Sequence, residues 1–154
     1  MTRLRLQSSF ELLVTLSVGL AVLLPVVVLA FVQLSSATTS LSAVEAQQGA
    51  SKMASIATLV GSEGPPAKQL IEITIPQGVR YIYVGTTGNG VGHEIIFEVN
   101  SPHGLSYITS YTPVNISGNL GGIVATGTYL INVSAQSACP GQTSASCVYI
   151  TPVV

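Results

Sequence analysis

The sequence predicts an α+β protein: a long N-terminal hydrophobic α-helix followed by a small antiparallel β-sandwich or barrel-like head. Three observations carry that expectation. Residues 12–34, LLVTLSVGLAVLLPVVVLAFVQL, form a run of 23 residues without a charge. After Pro25 no proline appears until Pro65, so nothing forces a helix begun in the apolar run to stop at its end. Beyond residue 68, short runs rich in Ile, Val, Tyr and Thr alternate with Gly- and Pro-containing turns, the composition of strands joined by tight connections. A chain of 154 residues holds one such helix and one small domain.

The first element is a basic leader, residues 1–6, with Arg3 and Arg5. The apolar run behind it is long enough, as a helix, to cross the roughly 30 Å hydrocarbon core of a bilayer. The positive-inside tendency keeps the leader in the cytoplasm and places the residues beyond Leu34 outside. Glu11 opens the run, and an ionised acid there costs less than the roughly 2.5–3.5 kcal/mol of a bilayer centre, because headgroups and water reach it. The helical pattern continues past the membrane run through Leu34, Ala37, Leu41, Val44 and Gln48 at three-four spacing, which predicts one helix to about Val60. Pro25 is expected to kink it or free a carbonyl, with Gly19 and Gly49 as further soft points. The expected divisions are therefore leader 1–6, helix 7–60, linker 61–68 containing GSEGPP, and head 69–154.

Strands are expected at 69–75, 79–84, 94–99, 105–111, 128–134 and 147–151. In the first, Ile71, Ile73 and Ile75 face one side and Glu72 and Thr74 the other, the alternation of a sheet with one wet face. Gly88, Asn89 and Gly90 suit a hairpin turn between the second and third. The two cysteines, Cys139 and Cys147, bracket CPGQTSASC, which reads as a hairpin tip that a disulfide would close. Two free thiols are the next alternative; zinc is the weakest, since only His93 and His103 could add nitrogen ligands. Asn115 in NIS and Asn132 in NVS are glycan sequons, and Asn132 projects opposite to Tyr129, Ile131 and Val133.

The sequence offers little chemistry. Five basic and six acidic residues leave no nucleic-acid footprint, and no cofactor is expected. His93 and Glu94 would point to opposite faces of a strand, so His93 reads as a surface residue and His103 as part of a turn. The glycine-rich TTGNGVGH, from Thr86 to His93, lacks the lysine and following helix of a phosphate loop and reads as a turn. Six tyrosines suit either sheet packing or a partner surface. No enzyme activity is expected.

The N-terminal signal is more specific. Gln7, Ser9 and Glu11, set in QSSFE ahead of the apolar run, resemble the Gln-x-Ser-x-Glu class III signal peptide of archaeal type IV pilins and pilin-like proteins. The resemblance implies cleavage between Leu6 and Gln7 by a membrane prepilin peptidase. It further implies a hydrophobic helix that stays on the mature chain, and a homopolymer raised by the pilus assembly machinery into a cell-surface filament used in adhesion or, as an archaellum, in motility. It implies that Glu11, fifth from the new terminus, meets the amine of Gln7 on a neighbouring subunit. Two unit charges about 4 Å apart at an effective dielectric of 20 attract by about 4 kcal/mol before desolvation. Thr15 departs from the pattern, standing where a leucine often closes the motif, with Leu16 next. The segments ITIPQGVRYIY, residues 73–83, and VNISG, residues 114–118, are loosely similar to the β-heads of that family. Two other readings use the same features: a single-span anchor that never polymerises, and a secreted domain cut after Ala37.

Overall fold

The computed structural model describes residues 3–88, 90–101, 104–139 and 146–153, with side chains from residue 10 onward. One helix, α1 (Arg3–Glu63), is followed by six strands: β1 (Lys68–Ile75), β2 (Val79–Gly85), β3 (Gly92–Ser101), β4 (Gly104–Gly118), β5 (Gly127–Gln136) and β6 (Cys147–Pro152). The helix runs through Pro25 without a break and ends at Gly64, whose positive φ of 73° suits a helix C-cap. Every expected strand is present, and β4 extends seven residues beyond the anticipated end at Tyr111.

The chain divides into two compact units at Thr38 and Thr39 rather than at the 61–68 linker. The reason lies in the helix. Ala46, Ala50, Met53, Ala54, Ala57 and Val60 recur at helical spacing and are all buried in the core of the second unit. Small side chains let the helix sit close to the sheet, and Gly49 lies against Ile73 and Phe97. The stripe suggested by Leu34, Leu41, Val44 and Gln48 is instead exposed.

The six strands form one sheet in the order β1-β5-β6-β4-β3-β2, with every pair antiparallel except β4 with β6. Helix α1 supplies the layer that a second sheet would supply in a sandwich. The sheet also curls. β1 and β2 lie at opposite ends of the strand order and, by the pairings between them, run in the same direction. Only Pro76, Gln77 and Gly78 join them. Five inter-strand gaps would separate the edges of a flat sheet by about 24 Å, whereas that link reaches at most about 14 Å. The end of β1 and the start of β2 must therefore approach each other, which curls the sheet.

A second corner lies in β4, where the register on β3 jumps between the Glu94–Tyr111 and Gly92–Ile116 pairs and residues Ile116–Gly118 pair with β6 as well. Between them, Thr112 turns inward and is fully buried, its hydroxyl 2.9 Å from that of Thr58 on α1. The inner face of the sheet carries Ile71, Ile73, Ile82, Ile95, Phe97, Ile131, Val133 and Ile150, all buried. At Gly85 the φ is 93° and an added Cβ would meet the carbonyls of Gly90 and Ile116, so only glycine passes where β2 turns into residues 86–91.

Candidate functional site

The N-terminal unit is unusual for what it leaves uncovered. From Phe10 to Leu34 every large apolar side chain is 45% or more exposed, with Phe10 and Phe31 above 70%. Apolar residues lie all round this stretch rather than along a stripe, the pattern of a helix surrounded by lipid or by other apolar helices. Among the described residues, α1 is the one helix long and apolar enough to cross a membrane.

Two hydroxyls in the stretch are internally satisfied. Thr15 Oγ1 donates to the carbonyls of Glu11 and Leu12, each at 3.0 Å, and Ser17 Oγ donates to Leu13 at 2.7 Å. A hydroxyl that bonds back to its own helix can enter an apolar phase without leaving a polar group bare. Thr15 thus fills the place of the expected leucine at little cost. Among the described residues Glu11 makes no such bond, and it stands exposed on the helix. The side chains of Leu6, Gln7 and Ser9, which form the rest of the signal, fall outside the described ones.

In the β-unit, the outer face of β2, β3 and β4 gathers tyrosines around one acid. Tyr81 and Tyr107 flank Glu98 on either side, while Tyr83 lies beside Ile96 and Tyr111 beside Glu94. Glu98 is only 8% exposed. Tyr83 donates its hydroxyl to Oε2 at 3.3 Å, and Arg80 Nε lies 3.7 Å from Oε1. Burial and, after it, the adjoining Glu98 carboxylate raise the Tyr83 pKa above that of an ordinary phenol. Arg80 is largely exposed, so its ion pair contributes at most about 1 kcal/mol.

His93 is half-buried rather than free on the surface. Its Nδ1 lies 3.1 Å from the Val114 carbonyl, a contact that requires the proton on Nδ1, and its ring is 5.8 Å from that of Tyr111. It braces the corner of β4. His103 and Asn89 lie outside the described residues. Thr86 Oγ1 accepts from the Gly90 N–H at 3.0 Å. Cys139 and Cys147 are both buried and joined as a disulfide with Cα atoms 5.3 Å apart, at the base of the β5–β6 connection. Asn115 at the β4 corner and Asn132 on β5 are each half-buried; Asn132 is on the outer face between Leu70 and Thr151. Among the described residues no group of three or more His, Cys or carboxylate side chains comes together as a metal site.

Compared with protein-family profiles, with characterised proteins and with solved structures, the chain matches none.

Proposed function

We propose that this chain is the structural subunit of an archaeal type IV pilus or related adhesive filament, held in the cytoplasmic membrane by α1 before assembly and polymerised through it afterwards. The observation that carries the reading is the all-round exposure of apolar side chains from Phe10 to Leu34, directly behind a Gln7-x-Ser9-x-Glu11 signal. Such a surface is stable only in lipid or against copies of itself. Burying 1,500 Å² of it at about 25 cal/mol per Å² gives tens of kcal/mol before the costs of association, enough to replace lipid when a subunit leaves the bilayer. In this reading Leu6 and Gln7 flank the cleaved bond. Glu11 takes the amine of Gln7 from a neighbour as partner, which removes the cost of an unpaired acid in an apolar wall. The chain acts by assembly and not as an enzyme, and its partners are its own copies, the prepilin peptidase and the assembly machinery.

The same apolar surface suits a single-span anchor that displays the β-unit without polymerising. The N-terminal residue and intact mass of the protein sheared from its own cells separate the two. A start at Gln7 in a sedimentable filament is expected. A start at Met1 in the membrane fraction means an anchor, and one near Thr38 in the medium means a secreted domain. Excess mass on Asn115 or Asn132 would report glycosylation.

A further inference from the structure

An open helical polymer of identical subunits needs a heterologous contact, in which two different surfaces of the chain cover each other, because a self-complementary patch closes into a dimer. The β-unit carries such a pair. Outside α1, the exposed large apolar side chains among the described residues form two groups of three, all on the outer face of the sheet. One group is Leu70 on β1, Leu130 on β5 and Val153 just past β6, whose N–H donates to the Leu130 carbonyl at 2.8 Å. The other is Leu105, Tyr107 and Tyr111, alternating along the first half of β4 opposite Asn100, Glu98 and Glu94. In a curled sheet, β1 and β5 do not face the same way as β3 and β4.

Their charges also differ. Lys68 is exposed two residues from Leu70 on the same face, and Glu94 is exposed directly opposite Tyr111. Neither takes part in an ion pair among the described residues. Glu72 borders the first group beside Leu130, at the far end from Lys68.

We infer that these two patches cover each other between neighbouring copies in the filament: Leu70, Leu130 and Val153 of one subunit lie on Leu105, Tyr107 and Tyr111 of the next, with Lys68 of the first against Glu94 of the second. The inference rests on the filament reading above. Three apolar side chains a side make a contact smaller than the roughly 800 Å² per partner of a stand-alone interface. The contact therefore forms only where packed helices already hold the copies together at high effective concentration. Asn132 lies inside the first patch, between Leu70 and Thr151, so the contact leaves no room for a sugar there.

The test uses the full chain in its own cells, carrying Leu130→Cys and Tyr107→Cys separately and together. Sheared filaments are treated with a short bismaleimide and separated on a denaturing gel; the native cysteines are already joined to each other. The double variant is expected to give a ladder beyond dimer, and each single variant only monomer. Lys68→Glu should slow cross-linking by about two- to fivefold, the range of an exposed ion pair, and adding Glu94→Lys should restore it. Filaments that form normally without a ladder would overturn the inference, as would dimers from Leu130→Cys alone or a sugar on Asn132 in every subunit. If the unmodified chain makes no filaments, it is the filament reading that fails.

Discussion

Tyr83 and Glu98 are the residues whose environment the strand pattern did not reveal. Glu98 sits in a run, IIFEV, whose alternation places it with Ile96 on the face away from the helix, where an acid ordinarily meets water. It is buried instead because Tyr81, Tyr83 and Tyr107 occupy the neighbouring positions on both adjacent strands, a fact of register that no single strand discloses. The raised Tyr83 pKa comes from that burial and from the Glu98 carboxylate. Its sign is definite. The fold favours the protonated phenol, so this contribution to stability is complete below the ordinary tyrosine value near 10 and is lost as pH rises from there through the raised value. An absorbance titration of phenolate should show one tyrosine ionising after the rest, and Tyr83→Phe should remove that last step. A late step that survives in Tyr83→Phe would assign it elsewhere.

The β5–β6 connection shows what an element owes to a cross-link. Cys139 and Cys147 are buried at its base with no other cysteine in the chain, and closing a loop of about nine residues stabilises the fold by roughly 2.5 kcal/mol in the chain-entropy model. Replacing both by serine should lower the midpoint of denaturant unfolding by that order, and reducing agent should have the same effect on the native chain but none on the variant. An unchanged midpoint would mean that the loop is already ordered without the bond. This pairing was legible because the two cysteines bracket turn residues. All six strands were legible as well, from β-branched runs between Gly and Pro. What escaped was the far half of β4, where TPVNISG contains a proline that ordinarily interrupts a ladder. Pro113 is tolerated because it stands in the register shift between the Glu94–Tyr111 and Gly92–Ile116 pairs, where the ladder on β3 is interrupted. The buried stripe of α1 also escaped: Leu41 and Val44 suggested the apolar face, while alanines 46, 50, 54 and 57 are the residues that enter the core. Hydrophobicity alone ranks leucine above alanine, but close approach to a sheet selects the smaller side chain.

At the scale of the molecule, α1 belongs to two environments, and the division between them is a prediction about where the chain can be cut. Residues before Thr39 form one unit and leave their apolar side chains uncovered, whereas residues 39–154 form another with its own core. That core takes Ala46, Ala50, Met53, Ala54, Ala57 and Val60 from the helix and the inner-face isoleucines and valines from the sheet. A fragment of residues 39–154 should therefore fold in water, retain the Cys139–Cys147 bond, unfold cooperatively and sediment as a monomer, because the exposed apolar surface of residues 10–34 has been removed. A fragment starting at Gly61, where the sequence pattern alone would have put the boundary, exposes the inner face of the sheet that the helix covers. Stripping a helix from a core costs more than the roughly 5–15 kcal/mol by which ordinary domains are stable, so this shorter fragment should aggregate or remain unfolded. Circular dichroism and denaturant titration of the two fragments decide the matter. If the shorter one folds with equal stability, the sheet closes its core without the helix; if the longer one fails, residues before Thr39 take part in folding the β-unit.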